Sequence, residues 1–312
     1  MNAIAYQQFG NIDVLQTIEE PIPAVQVNQV LVKVKAVSIN PMDWKIRKGE
    51  MKLMSGSKFP KHTGVEFAGI IEDAGATNFK KGDEVFGVVK NSMKEGALAE
   101  YIAVPASSVW KKPASIDFPQ AASIPITGAA AVTAWGKMGI INAQTKILVN
   151  GATGGFGMFL LQLLKHKGAD ITAVANTKSM EIAKKWGAGS VIDYTRENVL
   201  SKNITYDIVI DLSGKMGYKN AKKIMKPKAL FLNPTPKPVE ILTSLLGNLF
   251  TGKKHIALIT APTEKNITLL LNAIDKGLEI EINKVFPFAQ SKEAYHYAER
   301  GGYVGKVAIE IN

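Results

Sequence analysis

Cysteine is absent from the 312-residue sequence. Thiolate zinc sites, cysteine nucleophiles and redox dithiols are therefore excluded, and nothing positive follows about compartment. Histidine is scarce: His62, His166, His255 and His296 lie far apart and show no metal-ligand spacing. Arginine is scarcer still, with Arg47, Arg196 and Arg300 its only examples. Lys and Arg outnumber Asp and Glu by 38 to 27, a formal net charge of +11. That excess consists of scattered lysines, whereas nucleic-acid sites favour clustered arginine with aromatics. No nucleic-acid partner is expected; a lysine-rich surface suits phosphorylated small molecules. No run of about 18 apolar residues occurs, so no integral membrane segment is expected. The N-terminal MNAIAYQQFGNIDV lacks a basic then apolar leader, which reads as a cytoplasmic protein.

What is present is an ordinary globular composition, 46% apolar and 21% charged, with 27 Gly and 14 Pro. At roughly 100–200 residues per domain the length suggests two domains. Their textures differ. Up to about residue 115, short alternating runs such as Val30–Ala36, Gly69–Glu72, Asp83–Val89 and Ala97–Val104 are broken by Gly, Pro and Asp. Period-two alternation of this kind predicts an antiparallel β domain, a partly open barrel. From about residue 118, apolar runs at Lys146–Val149, Ile171–Ala175, Ser190–Ile192 and Tyr206–Ile210 alternate with helix-length amphipathic stretches. Strands buried on both faces and separated by helices predict a doubly wound parallel sheet. Gly168 and Gly187 stand where helices over Phe156–Lys167 and Ser179–Trp186 should stop. No repeat is found, and residues 234–238 (PTPKP) read as a rigid local loop.

The sharpest motif is Ile147-Leu148-Val149-Asn150-Gly151-Ala152-Thr153-Gly154-Gly155-Phe156-Gly157, a buried strand entering a glycine-rich turn and then a helix. Gly151 permits the tight turn, Gly154 and Gly155 let backbone amides approach a pyrophosphate, and Gly157 lets the helix pack closely on the strand. An NAD site places Asp or Glu at the end of the next strand, about 20 residues on. Here the sequence reads Ala175-Asn176-Thr177-Lys178-Ser179. With no carboxylate in that stretch and a lysine beside small hydroxyl donors, NADPH is the expected cofactor.

Several short motifs follow one another in a set order. They are Val37-Ser38-Ile39-Asn40-Pro41-Met42-Asp43-Trp44-Lys45 with Gly49, Gly64-Val65-Glu66-Phe67-Ala68-Gly69, Lys81-Gly82-Asp83-Glu84-Val85 and Thr133-Ala134-Trp135. The glycine turn comes next, then Gly187-Ala188 before Val191-Ile192-Asp193-Tyr194, and Gly305-Lys306-Val307. In this order they resemble the medium-chain dehydrogenase/reductase superfamily, in its zinc-free quinone oxidoreductase-like branch, over essentially the whole chain. The resemblance implies a GroES-like catalytic domain from residues 1–117 and 287–312, a Rossmann domain from 118–286, and an active site in the cleft. It maps nicotinamide and ribose contacts onto Asn40, Thr127, Leu212, Ser213 and Asn233, and the 2′-phosphate onto Asn176, Thr177, Lys178 and Tyr194. It implies no zinc, because Val65 replaces the histidine of the Gly-His-Glu ligand motif and no cysteine exists. His62 and Glu66 alone are too few ligands for an isolated metal site.

The activity so implied is NADPH-dependent hydride transfer to a quinone or to the conjugated C=C of an α,β-unsaturated carbonyl. Charge building on the carbonyl oxygen requires donors; the Asn40 amide, a ribose hydroxyl and backbone amides are candidates. Solvent or Lys45 supplies the proton, Lys45 standing about where related reductases carry a tyrosine. A different class, an NADPH-binding sensor or RNA-associated protein of the same fold with little turnover, fits the same motifs. A short-chain reductase using Tyr218 and Lys222 is rejected, since that fold opens with its glycine loop. The segment Ile241–Lys254 is apolar and ends in a basic pair; it reads as a substrate-pocket wall or dimer contact ahead of a membrane-surface anchor. The His255–Thr260 stretch resembles the strand that pairs across the superfamily's homodimer.

Overall fold

The computed structural model describes residues 1–234, 236 and 238–312. The loop read over 234–238 therefore lies partly outside the described residues. The chain forms two compact units, one of Met1–Ile126, Ile282–Gly301 and Lys306–Asn312, the other of Thr127–Glu281 and Gly302–Gly305.

The first unit is the β-rich one. Its strands are β1 (Asn2–Tyr6), β2 (Gln16–Glu19), β3 (Gln29–Ser38), β4 (Lys61–His62), β5 (Glu66–Asp73), β6 (Glu84–Val88), β7 (Tyr101–Pro105) and β8 (Val109–Lys111), joined by β15 (Ile282–Pro287) and β16 (Lys306–Glu310) from the far end of the chain. One sheet runs β2-β1-β4; the other runs β15-β16-β3-β5-β6-β8, with β7 also on β3. Pairing is antiparallel as expected, with one exception, the parallel pair β15–β16. β3 carries the site-bearing end: it is long, largely buried and pairs with β5, β7 and β16. The unit's helices are α1 (Pro41–Arg47), α2 (Lys52–Ser55), α3 (Phe118–Ala122) and α10 (Ser291–Arg300). It runs past the change of texture at 118 because α3 packs on β3 and β5.

The second unit has six parallel strands in the order β11-β10-β9-β12-β13-β14. These are β9 (Lys146–Asn150), β10 (Asp170–Ala175), β11 (Ser190–Asp193), β12 (Tyr206–Asp211), β13 (Met225–Asn233) and β14 (Lys254–Ala257). In sequence order that is 3-2-1-4-5-6, the doubly wound arrangement, whose reversal between β9 and β12 leaves a crevice at the strands' carboxyl ends. Its helices are α4 (Pro125–Lys137, which begins in the first unit), α5 (Gly155–Leu164), α6 (Met180–Lys185), α7 (Gly217–Ala221), α8 (Pro238–Gly247) and α9 (Glu264–Asp275). α5 tightens into a 3-10 turn over Lys165–Lys167 and ends at Gly168 with φ +76°. Gly187 follows α6 with φ +119°. Ile147, Leu148 and Val149 are wholly buried, as are Phe159 and Leu160 of α5. Each such side chain contributes about 1.5–3 kcal/mol of burial. Among the described residues no helix is long and apolar enough to cross a membrane.

Candidate active site

In the parallel-sheet unit, β9 ends at Asn150 and the chain turns through Gly151, whose φ is +80°. A Cβ there would lie 3.0 Å from the amide nitrogen of Ser213, so Gly151 is where the loop after β12 closes on the loop after β9. Gly157 has no latitude: its Cβ would stand 2.1 Å from the carbonyl oxygen of Ala152. Gly154 is different. It caps α5 with an ordinary φ of −77°, and a Cβ there would meet only the Gly151 carbonyl at 3.8 Å. The chain's own packing thus leaves the space over Gly154 open, at a helix N-terminus whose first amides lack intrahelical acceptors. Gly155 and the half-buried Phe156 form the first turn behind it.

Thr153 links this turn to the next strand end. Its hydroxyl donates to Ser179 Oγ at 3.1 Å, and Asn176 Oδ1 accepts from the Ser179 amide at 3.1 Å. The Asn176 amide donates onward to the Gly302 carbonyl at 3.1 Å. The Gly305 amide in turn donates to the Thr153 carbonyl at 2.8 Å. Residues Gly302–Gly305 therefore form a third wall of the glycine turn. Sequence reasoning saw the Gly305-Lys306-Val307 motif but had no signal for this contact across some 150 residues of chain.

A carboxylate does stand beside the Asn176–Lys178 loop, because β11 pairs with β10 in a register that sets Asp193 opposite Ala175. The Thr177 hydroxyl donates to Asp193 Oδ2, so its proton faces that carboxylate. Asp193 also accepts from the Thr195 amide at 2.9 Å and hydroxyl at 2.7 Å. The Thr177 bond, against the opposing pull of burial, holds the Asp193 carboxyl below its ordinary range. Arg196, unconsidered from sequence, lies 3.6 Å from that carboxylate and is otherwise exposed. Lys178 is exposed, and Tyr194 leaves 54% of its surface open.

At the reversal of strand order, Asp211 organises the loop after β12. It accepts from Asn150 Nδ2 at 2.8 Å, from Ser213 Oγ at 2.7 Å and from the Met216 amide at 2.8 Å, while the Leu212 amide reaches the Asn150 carbonyl at 2.8 Å. Asn233 ends β13, is buried and donates to Glu240 at 3.3 Å. Thr127 is half-buried in the first turn of α4.

In the β-rich unit, Asn40 caps α1 and is buried, with the Asn40 amide N–H donating to Asp43 Oδ2 at 2.8 Å. Its side chain points inward. Nδ2 donates to Glu66 Oε1 at 2.8 Å and, at 3.4 Å, to the Ser38 carbonyl. Oδ1 accepts from Lys306 Nζ at 2.8 Å. Lys306 also donates to Glu66 Oε1 at 2.9 Å and to the Ile39 carbonyl at 3.0 Å, while Glu66 Oε2 accepts the Ile126 amide at 2.8 Å. Both Asn40 amide hydrogens are thus engaged within the protein, which makes Asn40 the centre of a buried polar cluster. Lys45 lies half-buried on the same helix. Asp43 is buried beside the cluster, and burial, against the Asn40 bond and the Lys306 charge, pushes its pKa up to about 7.

This arrangement has well-defined relatives. Residues 26–114 match the alcohol dehydrogenase GroES-like domain family, and residues 186–309 match the zinc-binding dehydrogenase family. A chloroplastic NADPH-dependent alkenal/one oxidoreductase of Arabidopsis thaliana is 31% identical, covering 99% of this chain and 79% of its own length. The chloroplast envelope quinone oxidoreductase homolog of the same plant is 28% identical, covering 99% and 98%. The solved quinone oxidoreductase of Coxiella burnetii superposes with a TM-score of 0.88 at 28% identity, over 100% and 99% of the two chains. The chain belongs to the medium-chain dehydrogenase/reductase superfamily. It is an oxidoreductase that uses a nicotinamide cofactor, of the quinone oxidoreductase-like branch.

The superfamily's zinc ligands have no counterparts in the donor set here. Val65 is buried and offers no donor, His62 pairs with Glu20 at 3.1 Å, and Glu66 is held by Lys306. Among the described residues no group of three or more His, Cys, Asp or Glu is placed to hold a metal ion. Lys306, quoted from sequence only within the Gly305-Lys306-Val307 motif, has a role in the β-rich unit that sequence reasoning missed. A lysine heading an otherwise apolar strand, Lys306-Val307-Ala308-Ile309, was the available signal, since a buried ammonium demands a partner.

Proposed function

We propose that this chain is a zinc-independent, NADPH-dependent reductase of quinones or of the conjugated C=C of α,β-unsaturated carbonyls. The observation that carries the proposal is the glycine turn. Its geometry forbids a side chain at Gly157 and leaves the space over Gly154 open at the α5 N-terminus, a fit for a pyrophosphate. Lys178 and Arg196 supply cations for a 2′-phosphate, and the open face of Tyr194 offers stacking area beside them. Asp193 does not favour the phosphate, but its charge is bonded by Thr177 and Thr195 and offset by Arg196. The loops at Thr127, Leu212, Ser213 and Asn233 are assigned to the ribose and nicotinamide. When bound, NADPH supplies the hydride.

The residues of the chain bind, orient and protonate. Hydride addition at the β-carbon of an enone leaves charge on the carbonyl oxygen, and delocalisation in the enolate lowers the polarisation that donors must provide. With both hydrogens of Asn40 directed to Glu66 and Ser38, its role is positioning: with Lys306 and Glu66 it fixes the end of β3 and the start of α1. Backbone amides then act as donors to the oxygen, and Lys45 holds the proton delivered to the α-carbon. Orientation in a water-poor site contributes most of the rate. A homodimer is the proposed assembly, because β14 ends the six-stranded sheet with one side unpaired among the described residues.

The test is loss of reduced-nicotinamide absorbance with a quinone, a 2-alkenal, an enone and a saturated aldehyde, using NADPH and NADH, in the wild type and Lys178→Ala. Turnover confined to conjugated acceptors and quinones, with an NADPH KM raised at least tenfold in Lys178→Ala and little change for NADH, is expected. Tight NADPH binding without turnover on any acceptor overturns the reductase reading and favours a sensor.

A further inference from the structure

α8 turns its apolar side to solvent. Leu242, Leu245 and Leu246 on the helix are exposed, and so are Leu249 and Phe250 in the turn that follows. Their spacing, i, i+3, i+4, i+7 and i+8, makes a single stripe. The stripe runs on past Gly247 because the Asn248, Leu249 and Phe250 amides still donate back to the Ser244, Leu246 and Gly247 carbonyls. The polar residues face the other way. Ser244 is buried, and Asn248 fixes the helix end to β14: its Nδ2 donates to the His255 carbonyl and its Oδ1 accepts the His255 amide, both at 2.7 Å. A helix packed only on its own protein shows the reverse order, apolar side inward. None of the four leucines lines the cleft between α7, α8 and β14, so the stripe is a contact face rather than the wall of that cleft.

Charge distinguishes what the face meets. From Lys215 to Lys254 the sequence holds nine lysines and a single acidic residue, Glu240. Those beside the stripe are not engaged by carboxylates among the described residues. Lys253 and Lys254 donate to the carbonyls of Lys222 and Asn248, and Lys222 stands 5.1 Å from the Tyr218 ring centroid, on the cleft it shares with Phe250. A second copy seated on the stripe through a two-fold contact would set the same lysines against one another, which like charge opposes. A surface of anionic headgroups over hydrocarbon complements the lysines and the leucines together. Phe250 is 89% exposed and Leu249 74%, a projecting ridge that a fluid acyl boundary can close around.

We propose that α8 and the turn after it form a peripheral docking surface for an anionic lipid bilayer. The stripe lies in the plane of the interface, with the leucines and Phe250 at the acyl boundary and Lys222, Lys253 and Lys254 at the level of the headgroup phosphates. Five apolar side chains on one short helix make a weak anchor alone, so the attachment needs both signals and is reversible. Docking is independent of hydride transfer and is measured without nicotinamide or acceptor.

The test is flotation of the full chain with vesicles of equal parts phosphatidylcholine and phosphatidylglycerol, and with vesicles of phosphatidylcholine alone. Saturable binding to the mixed vesicles is expected, at least tenfold weaker on phosphatidylcholine and weakened severalfold as ionic strength rises from about 0.05 M to about 0.5 M. Leu245→Gln combined with Leu246→Gln places good helix formers at two exposed positions, so the variant folds; it should keep the thermal midpoint and weaken mixed-vesicle binding at least tenfold. Phe250→Trp should show indole emission that moves to the blue as mixed vesicles are added. Lys222→Gln combined with Lys223→Gln should weaken mixed-vesicle binding about fivefold and leave binding to phosphatidylcholine unchanged. Absence of binding to mixed vesicles, equal affinity for the two vesicle types, or binding unaltered by the leucine pair each overturn the proposal. So does conversion of a dimer to a monomer by the leucine pair in sedimentation velocity, which would assign the stripe to a contact between copies.

Discussion

Asp43 makes the β-rich unit less stable as pH rises, and replacing it with Asn should remove that dependence. The carboxyl is fully buried; its Oδ2 accepts the Asn40 amide and its Oδ1 has no partner. Burial, the largest influence, raises its pKa from the ordinary 3.8 to about 7. A folded pKa above the unfolded one means that the native state binds the extra proton. Stability is then unaffected below pH 3.8, falls as the pH rises toward 7 and is constant above it. One pH unit inside that window is worth about 1.4 kcal/mol, so the wild type loses about 2.5 kcal/mol between pH 5 and pH 8 from this group alone. Asp43→Asn keeps an acceptor for the Asn40 amide and cannot ionise. Any fixed cost of a buried NH₂ group, roughly 1–3 kcal/mol, is the same at every pH. The difference in unfolding free energy, variant minus wild type, should therefore climb by about 2.5 kcal/mol from pH 5 to pH 8 and then level off. Urea unfolding at four pH values, read in the transition that exposes Trp44 and Trp110, measures it. A difference that is flat across this range would show that Asp43 ionises normally in the fold and would refute the reasoning.

The glycine turn separates folding from ligand approach. Gly157→Ala forces a Cβ to 2.1 Å from a backbone oxygen and should lower the thermal midpoint by several degrees, whereas Gly154→Ala, at an ordinary φ with open space, should leave the midpoint unchanged and weaken NADPH at least tenfold in a fluorescence titration. Lys306→Met strands the Glu66 carboxylate and the Asn40 carbonyl in the interior and should cost about 3–5 kcal/mol in urea unfolding; adding Glu66→Gln should recover more than about 1 kcal/mol of it, since the two sites share one network. Thr177→Val removes a bond that holds the Asp193 carboxylate, which frees that charge toward the ribose and should lower the ratio of NADPH to NADH efficiency severalfold. A ratio equal to the wild type would mean that the Thr195 amide and hydroxyl hold the carboxylate without help.

Legibility in the sequence follows the range of the interaction responsible. Alternation and buried apolar runs are local, and they announced an antiparallel unit, a doubly wound parallel one and the stops at Gly168 and Gly187. The glycine turn was legible for the same reason, because strand, turn and helix are contiguous from Ile147 to Gly157. What escaped depends on register and on chain return. Asp193 is 16 residues beyond Thr177, and only the β10–β11 register brings its carboxylate to that loop. Lys306 is 240 residues from Glu66, and the parallel pairing of β15 with β16 contradicts the simple antiparallel texture of the rest of that unit. The direction of the Asn40 side chain was hidden as well. A sequence motif can mark Asn40 as special, but an amide that faces a buried Glu–Lys pair and one that faces a substrate leave the same letter in the chain. Here the buried pair decides between them, since Glu66 and Lys306 in the interior require every available hydrogen bond, and Asn40 is the neutral group that bonds to both.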